Sequence, residues 1–176
     1  MTHLIKYKII VFVAIWLFCN AASIFACGCL GITTEKAIKK SSAVFSGKVV
    51  GFEYRKGIPN EFMDEQSKET RKKLVDYETL VVKIQVEQWW KGDVPMEIFL
   101  LTAETREADG TMTISSCDYF FSKDESYLIF AGGKGNEYRT RACSRTQKLT
   151  QAEKDLKILG EGKKPIENRA EPSLPL

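Results

Sequence analysis

Four cysteines in an uneven pattern constrain this fold more than any other feature. Cys27 and Cys29 stand one residue apart, and Cys117 and Cys143 stand alone far downstream. A bridge between Cys27 and Cys29 would close a strained ring, so each is expected to reach a distant partner. Either downstream cysteine then closes a loop of about 90 residues or more. Such a closure removes about 4 to 5 kcal/mol of chain entropy from the unfolded state before strain is subtracted. The rival arrangement, one metal ion held by all four thiolates, lacks the paired knuckles of a zinc ribbon. Two disulfides in a small exported domain are the preferred reading.

The fifth cysteine, Cys19, falls in a segment with the layout of a secretory leader. Lys6 and Lys8 precede the apolar run Ile9 to Phe18 (IIVFVAIWLF), and small residues lead to a cleavage point after Ala26. The run is shorter than the roughly 20 residues that span a bilayer. Residues 1–26 are therefore expected to be a signal peptide, the mature chain to begin at Cys27, and the protein to be secreted or periplasmic. An uncleaved N-terminal anchor is the alternative. The leader holds two of the 26 lysines and arginines and none of the 23 acids, so the remainder is nearly neutral. That balance gives no electrostatic reason to expect nucleic acid or an anionic membrane as partner.

His3 is the only histidine, and it lies in the leader. The mature chain then has no histidine for a catalytic triad, a Cys–His dyad or a His-based zinc site. No nucleophile motif or spaced carboxylate pair stands out either, so an enzyme is not expected, nor a cofactor.

Residues 27–160 are expected to form one domain. Thr33 or Thr34 followed by Glu35 predicts a short capped helix. Ala43 to Tyr54 reads as a strand, and Gly47 and Gly51, four apart on one face, suit a strong bend. Arg55 to Asp76 is densely charged and reads as an exposed excursion. In Tyr77 to Trp90, Leu80, Val82, Ile84 and Val86 share one strand face. Further strands are expected at Glu97 to Ala103, Thr111 to Ser116, Ser126 to Ala131 and Glu137 to Ala142, with turns at Lys91-Gly92-Asp93, Asp109-Gly110 and Gly132-Gly133. Thr150 to Glu153 has the form of a capping box opening a helix that stops at Gly160. Residues 161–176, with three prolines and many charges, read as a disordered tail. The sum is a mainly β fold, a small closed Greek-key barrel with one short N-terminal helix and one C-terminal helix, an open sandwich being the alternative.

One family shares this order of features: Cys27-Gly28-Cys29 at the mature terminus, a short helix, the strand AVFSGKVV, the WWKGD turn, SSCDYFF, SYLIFA, and a last cysteine in TRACSRT. The chain resembles the netrin-like module of the tissue inhibitors of metalloproteinases from Cys27 to about Gly160. It is most similar to the single-domain bacterial-type members, because the third bridge and the second three-disulfide domain of the animal inhibitors are lacking. The resemblance implies an OB-fold and the pairings Cys27–Cys117 and Cys29–Cys143. It further implies a zinc metalloprotease as partner, with the amino group and carbonyl of Cys27 as ligands to the protease zinc.

The segment Cys27, Gly28, Cys29, Leu30, with Ser115 and Ser116 beside Cys117, would then form the ridge that enters the protease cleft. An α-amine with a pKa of about 7.7 to 8.0 deprotonates readily enough to bind zinc. Gly28 departs from the family, whose second residue fills a specificity pocket. Glycine forgoes about 1 to 2 kcal/mol of apolar burial there, which favours a protease with a shallow pocket. Ile24-Phe25-Ala26-Cys27 also approaches a bacterial lipobox, and acylation at Cys27 would anchor the chain to a membrane and remove the chelating amine. The other functional alternative is an extracytoplasmic OB-type binding or structural module, for which Trp89, Trp90, Tyr119 and Phe120 are candidate ligand contacts.

Overall fold

The computed structural model describes residue 29 and residues 31–56, 77–134 and 137–165. The leader, Cys27, Gly28, Leu30, most of the expected charged excursion and the end of the expected tail lie outside the described residues. The fold is mainly β with two short helices. In chain order the elements are α1 (Thr34–Lys40), β1 (Ala43–Lys56), β2 (Glu78–Lys91), β3 (Glu97–Arg106), β4 (Met112–Thr113), β5 (Ser126–Lys134), β6 (Glu137–Arg139), β7 (Gln147–Lys148) and α2 (Glu153–Leu159).

All seven strands belong to one sheet, and the sheet closes on itself. Its order runs β1-β2-β3-β6-β5, and β5 pairs back onto β1. The seam is antiparallel from Ala43↔Ala131 to Lys48↔Ser126. β1, β2 and β3 form an antiparallel meander, while β3 and β6 run parallel over only Leu100↔Tyr138 and Leu101↔Arg139. This closure distinguishes the fold from an open sandwich. Irregularities in β1 help the sheet to close, since bulges bend a strand. The register of β1 against β2 shifts at Val44/Phe45, Ser46/Gly47 and Val49/Gly51. At Gly47 a Cβ would lie 2.6 Å from the Gln85 carbonyl oxygen and equally close to Ile84 Cγ2, so only glycine lets the strands approach there.

Closing the sheet makes an inside and an outside, and the sequence supplies apolar side chains for both. Phe45, Val49, Val82, Ile84, Val86, Ile98, Leu100, Tyr127 and Ile129 fill the interior. On the opposite face of β1 and β5, Val44, Leu128 and Phe130 meet Ala37 of α1 and Ala152, with Ile32, Ile38, Leu149 and Leu156 at the margin. Two covered faces explain why successive residues are apolar at Ala43, Val44 and Phe45 of β1 and from Tyr127 to Ala131 of β5.

The N-terminal helix is capped as expected, with Thr33 Oγ1 accepting the Lys36 amide at 3.4 Å. Gly160 ends α2 with φ of 69°. Several expectations need correction. Thr150 does not cap α2: it sits in a 3-10 turn, Leu149–Gln151, and the helix opens at Ala152, fully buried and without a side-chain cap. Gly132-Gly133 is no turn but part of β5, which runs on to pair with β6. The strand expected at Thr111 to Ser116 shrinks to two residues, and that at Glu137 to Ala142 to three. The register against β3 shifts between Thr79 and Val81 through extra residues in β3, and both faces of β2 are covered there: Thr79 and Val81 are buried and Leu80 half-buried. The tail, finally, starts out ordered: Trp89 and Lys163 exchange both backbone hydrogen bonds, at 2.9 and 2.7 Å.

Candidate functional site

Around Cys117 the sequence Ser115-Ser116-Cys117-Asp118-Tyr119-Phe120-Phe121 alternates in its burial. Tyr119 and Phe121 pack against the interior with their rings tilted at 60° and 4.9 Å apart, each also meeting the buried Tyr127 ring edge-on. The Ser122 amide donates to the Tyr127 hydroxyl at 2.9 Å, fixing the end of the segment. Upstream, Ser115 forms a tight turn whose carbonyl accepts the Asp118 amide at 3.1 Å. These anchors leave Ser115 half-buried and Ser116 exposed, with Phe120 63% exposed on the outer side.

The same segment is stitched to the C-terminal cysteine. Ala142 donates its amide to the Cys117 carbonyl at 3.1 Å, and Asp118 and Arg141 form a β-bridge. Cys143 follows at once and is bonded to Cys29, with the two Cα atoms 5.2 Å apart. The bridge lies at the surface. Cys117 is disulfide-bonded as well; Cys27, the partner that the resemblance implies for it, lies outside the described residues. With Cys29 and Cys143 joined as a disulfide, a four-thiolate metal site is not available to them.

Of the expected ridge, the structure therefore gives Cys29, Ser115 and Ser116, and it draws Cys29 towards the Cys117 segment through Cys143 and Ala142. Cys27, Gly28 and Leu30 lie outside the described residues. The aromatic candidates divide. Trp89 and Tyr119 pack against the interior, Trp90 packs under α2 and donates to the Gly160 carbonyl at 2.9 Å, and Phe120 alone of the four is exposed.

Sequence reading missed Asp118. It lies at the wall of a cavity of about 320 Å³ between Leu101 to Ala103 of β3, the Cys117 segment and Arg139 to Arg141. Its carboxylate accepts the Ala103 amide at 2.8 Å and the Tyr119 amide at 3.1 Å. Burial pushes the Asp118 carboxyl above its ordinary pKa, against the pull of those two amides. The only signal in the sequence was an acid beside a cysteine and an aromatic triplet, which any surface loop could show.

A raised folded-state pKa means that the folded chain binds more protons than the unfolded one across the shifted window. Stability from this group is then greatest below an ordinary Asp value of about 3.9 and is lost as pH rises through the raised value. Urea denaturation at a series of pH values is expected to show this decline in the wild type and a flatter profile for Asp118→Ala. Parallel profiles would rule Asp118 out as the source.

No protein-family model matches this chain, and a search of curated proteins finds no match either.

Proposed function

We propose that this chain is a secreted inhibitor of zinc metalloendopeptidases that offers the amino group and carbonyl of Cys27 to the catalytic zinc of the protease. One observation carries the reading: Cys117 and Cys143, both disulfide-bonded, are held side by side by the Ala142–Cys117 hydrogen bond, with Cys29 on Cys143. Neighbouring anchors are what a Cys-x-Cys terminus needs if both of its cysteines are to be fixed at once. The Greek-key order β5-β1-β2-β3 and the closed five-strand ring support an OB-fold of the netrin-like kind.

In this reading, the catalytic zinc exchanges its bound water for the Cys27 amine and carbonyl. The chain's own contribution is rigidity. A terminus tethered within its first three residues has little freedom left to lose on entering a cleft, which lowers the entropic cost of binding. Ser115 and Ser116 would supply the second segment of the ridge.

The second reading, an extracytoplasmic OB-type binding module, draws on the cavity beside Asp118 and on exposed Met112, Ile114 and Phe120 along one segment. One experiment separates the two. The secreted protein is checked by intact mass for an unblocked start at Cys27 and is assayed against zinc proteases secreted by its own source. Adding one alanine before Cys27 is expected to abolish inhibition while leaving the melting temperature unchanged. Undiminished inhibition by the extended protein would sink the chelation mechanism, and acylation at Cys27 would do the same.

A further inference from the structure

We propose that Arg145 and Asp155 are positioning residues for the N-terminal segment, forming a second, non-covalent tether beside the Cys29–Cys143 bridge. The argument starts from Asp155, which is 2% exposed in the first turn of α2. A carboxylate buried that deeply requires partners, and three converge on it from two distant parts of the chain. Arg145 donates Nε–H to Oδ1 at 2.7 Å, Thr34 at the start of α1 donates its hydroxyl to the same oxygen, and Gln147 donates its amide to Oδ2.

Arg145 does not stop at Asp155. Its Nη1 donates to the carbonyl of Ile32 at 2.6 Å. The guanidinium thus spends one edge on the carboxylate that orients it and another on the backbone three residues beyond Cys29. The planar fork permits both bonds at once, and a lysine head cannot reproduce that geometry. Arg145 also has φ of 76°, a left-handed conformation that an arginine adopts at a cost. Glycine would be the unstrained choice at this position. The strained backbone brings the side chain back over the segment it holds, two residues after Cys143.

The chain entering α1 is consequently fixed at successive points. Cys29 is bonded to Cys143, the Ile32 carbonyl to Arg145, and Thr33 caps the helix. A disulfide alone allows rotation of a segment about its Sγ atoms, and a second attachment three residues away removes that freedom. This inference rests on the inhibitor reading only for its functional consequence, the orientation of the Cys27 terminus; the tether itself does not depend on it.

The test uses Arg145→Gly and Arg145→Lys in the full mature protein. Glycine relieves the left-handed strain but leaves Asp155 without its cation, so the melting temperature is expected to fall, and exchange is compared well below the onset of unfolding. Amide hydrogen exchange of residues 31–36 is expected to rise about tenfold or more in Arg145→Gly, to rise less in Arg145→Lys, and in both to rise more than in β1 and β5. Dissociation of the inhibited protease should accelerate in the same order, with the association rate little altered. Unchanged exchange at residues 31–36 in a folded Arg145→Gly protein overturns the tether. Faster exchange with unchanged dissociation overturns its role in positioning the terminus. If the wild type inhibits no zinc protease, the inhibitor reading falls while the exchange measurement still decides the tether.

Discussion

Replacing Cys29 and Cys143 together by serine is expected to lower the unfolding free energy by about 4 to 5 kcal/mol, the chain-entropy value for a loop of this length. The bridge spans a sequence separation of 114 residues, so nearly the whole described fold lies inside the loop it closes. For a domain of this size the loss corresponds to a fall of roughly 10 to 20 °C in melting temperature. Circular dichroism melts of the double variant would measure it. Both cysteines must be changed, since a single substitution leaves a free thiol able to attack the bridge at Cys117. A loss below about 2 kcal/mol would mean that the closed sheet already holds the two ends together without the cross-link.

The second large effect is expected at Phe45. Its side chain is fully buried in β1, at the seam where that strand pairs with both β2 and β5. Its ring meets Tyr138 edge-on at 6.4 Å, across the weakly paired side of the sheet. Phe45→Ala would leave a void that neighbours on three strands cannot close together, and a loss of about 3 to 5 kcal/mol is expected. Urea denaturation should show a lower midpoint with an unchanged slope, the mark of lost stability without a change in the exposed surface. Phe120→Ala is the matched control. That ring is 63% exposed, and its removal should shift stability by no more than about 0.5 kcal/mol.

How much of this was legible beforehand depended on whether the deciding interaction was local. The strands β1 and β5, the glycine at the Ser46/Gly47 register shift, the Thr33 cap and the Gly160 stop are set by side chains within a turn or a strand length of one another. All of them were readable. The register shift after Thr79 was not readable from β2, because its extra residues lie in the partner strand, where Val81 pairs with Leu101 while Thr79 pairs with Thr105. Gly132-Gly133 looked like a turn because paired glycines usually are one; here they let β5 continue beside a three-residue partner. The Thr150 capping box failed for a similar reason. Burial of Ala152 and the demands of Asp155 on Arg145, Thr34 and Gln147 decide where α2 begins, and none of these can be seen from four consecutive residues.

The candidate site divides along the same line. The resemblance implied the Cys29–Cys143 pairing, and the structure has it. Asp118 and Arg145 were out of reach because their roles come from partners elsewhere in the chain: the Ala103 amide for one, Asp155 and the Ile32 carbonyl for the other.

The seam between β1 and β5 also governs when this fold can form. β1 and β2 can zip together as soon as both exist, but the other edge of β1 must wait for residues 126–131, and the Cys29 thiol for residue 143. Contacts of such high order are slow to find and leave a strand edge open in the meantime. A chain crossing a membrane in extended form, amino end first, would therefore carry the unpaired edge of β1 until nearly its whole length had emerged. Lys48 on that waiting stretch, and Arg55 and Lys56 beyond it, place positive charge along the strand, a feature that discourages pairing with other chains.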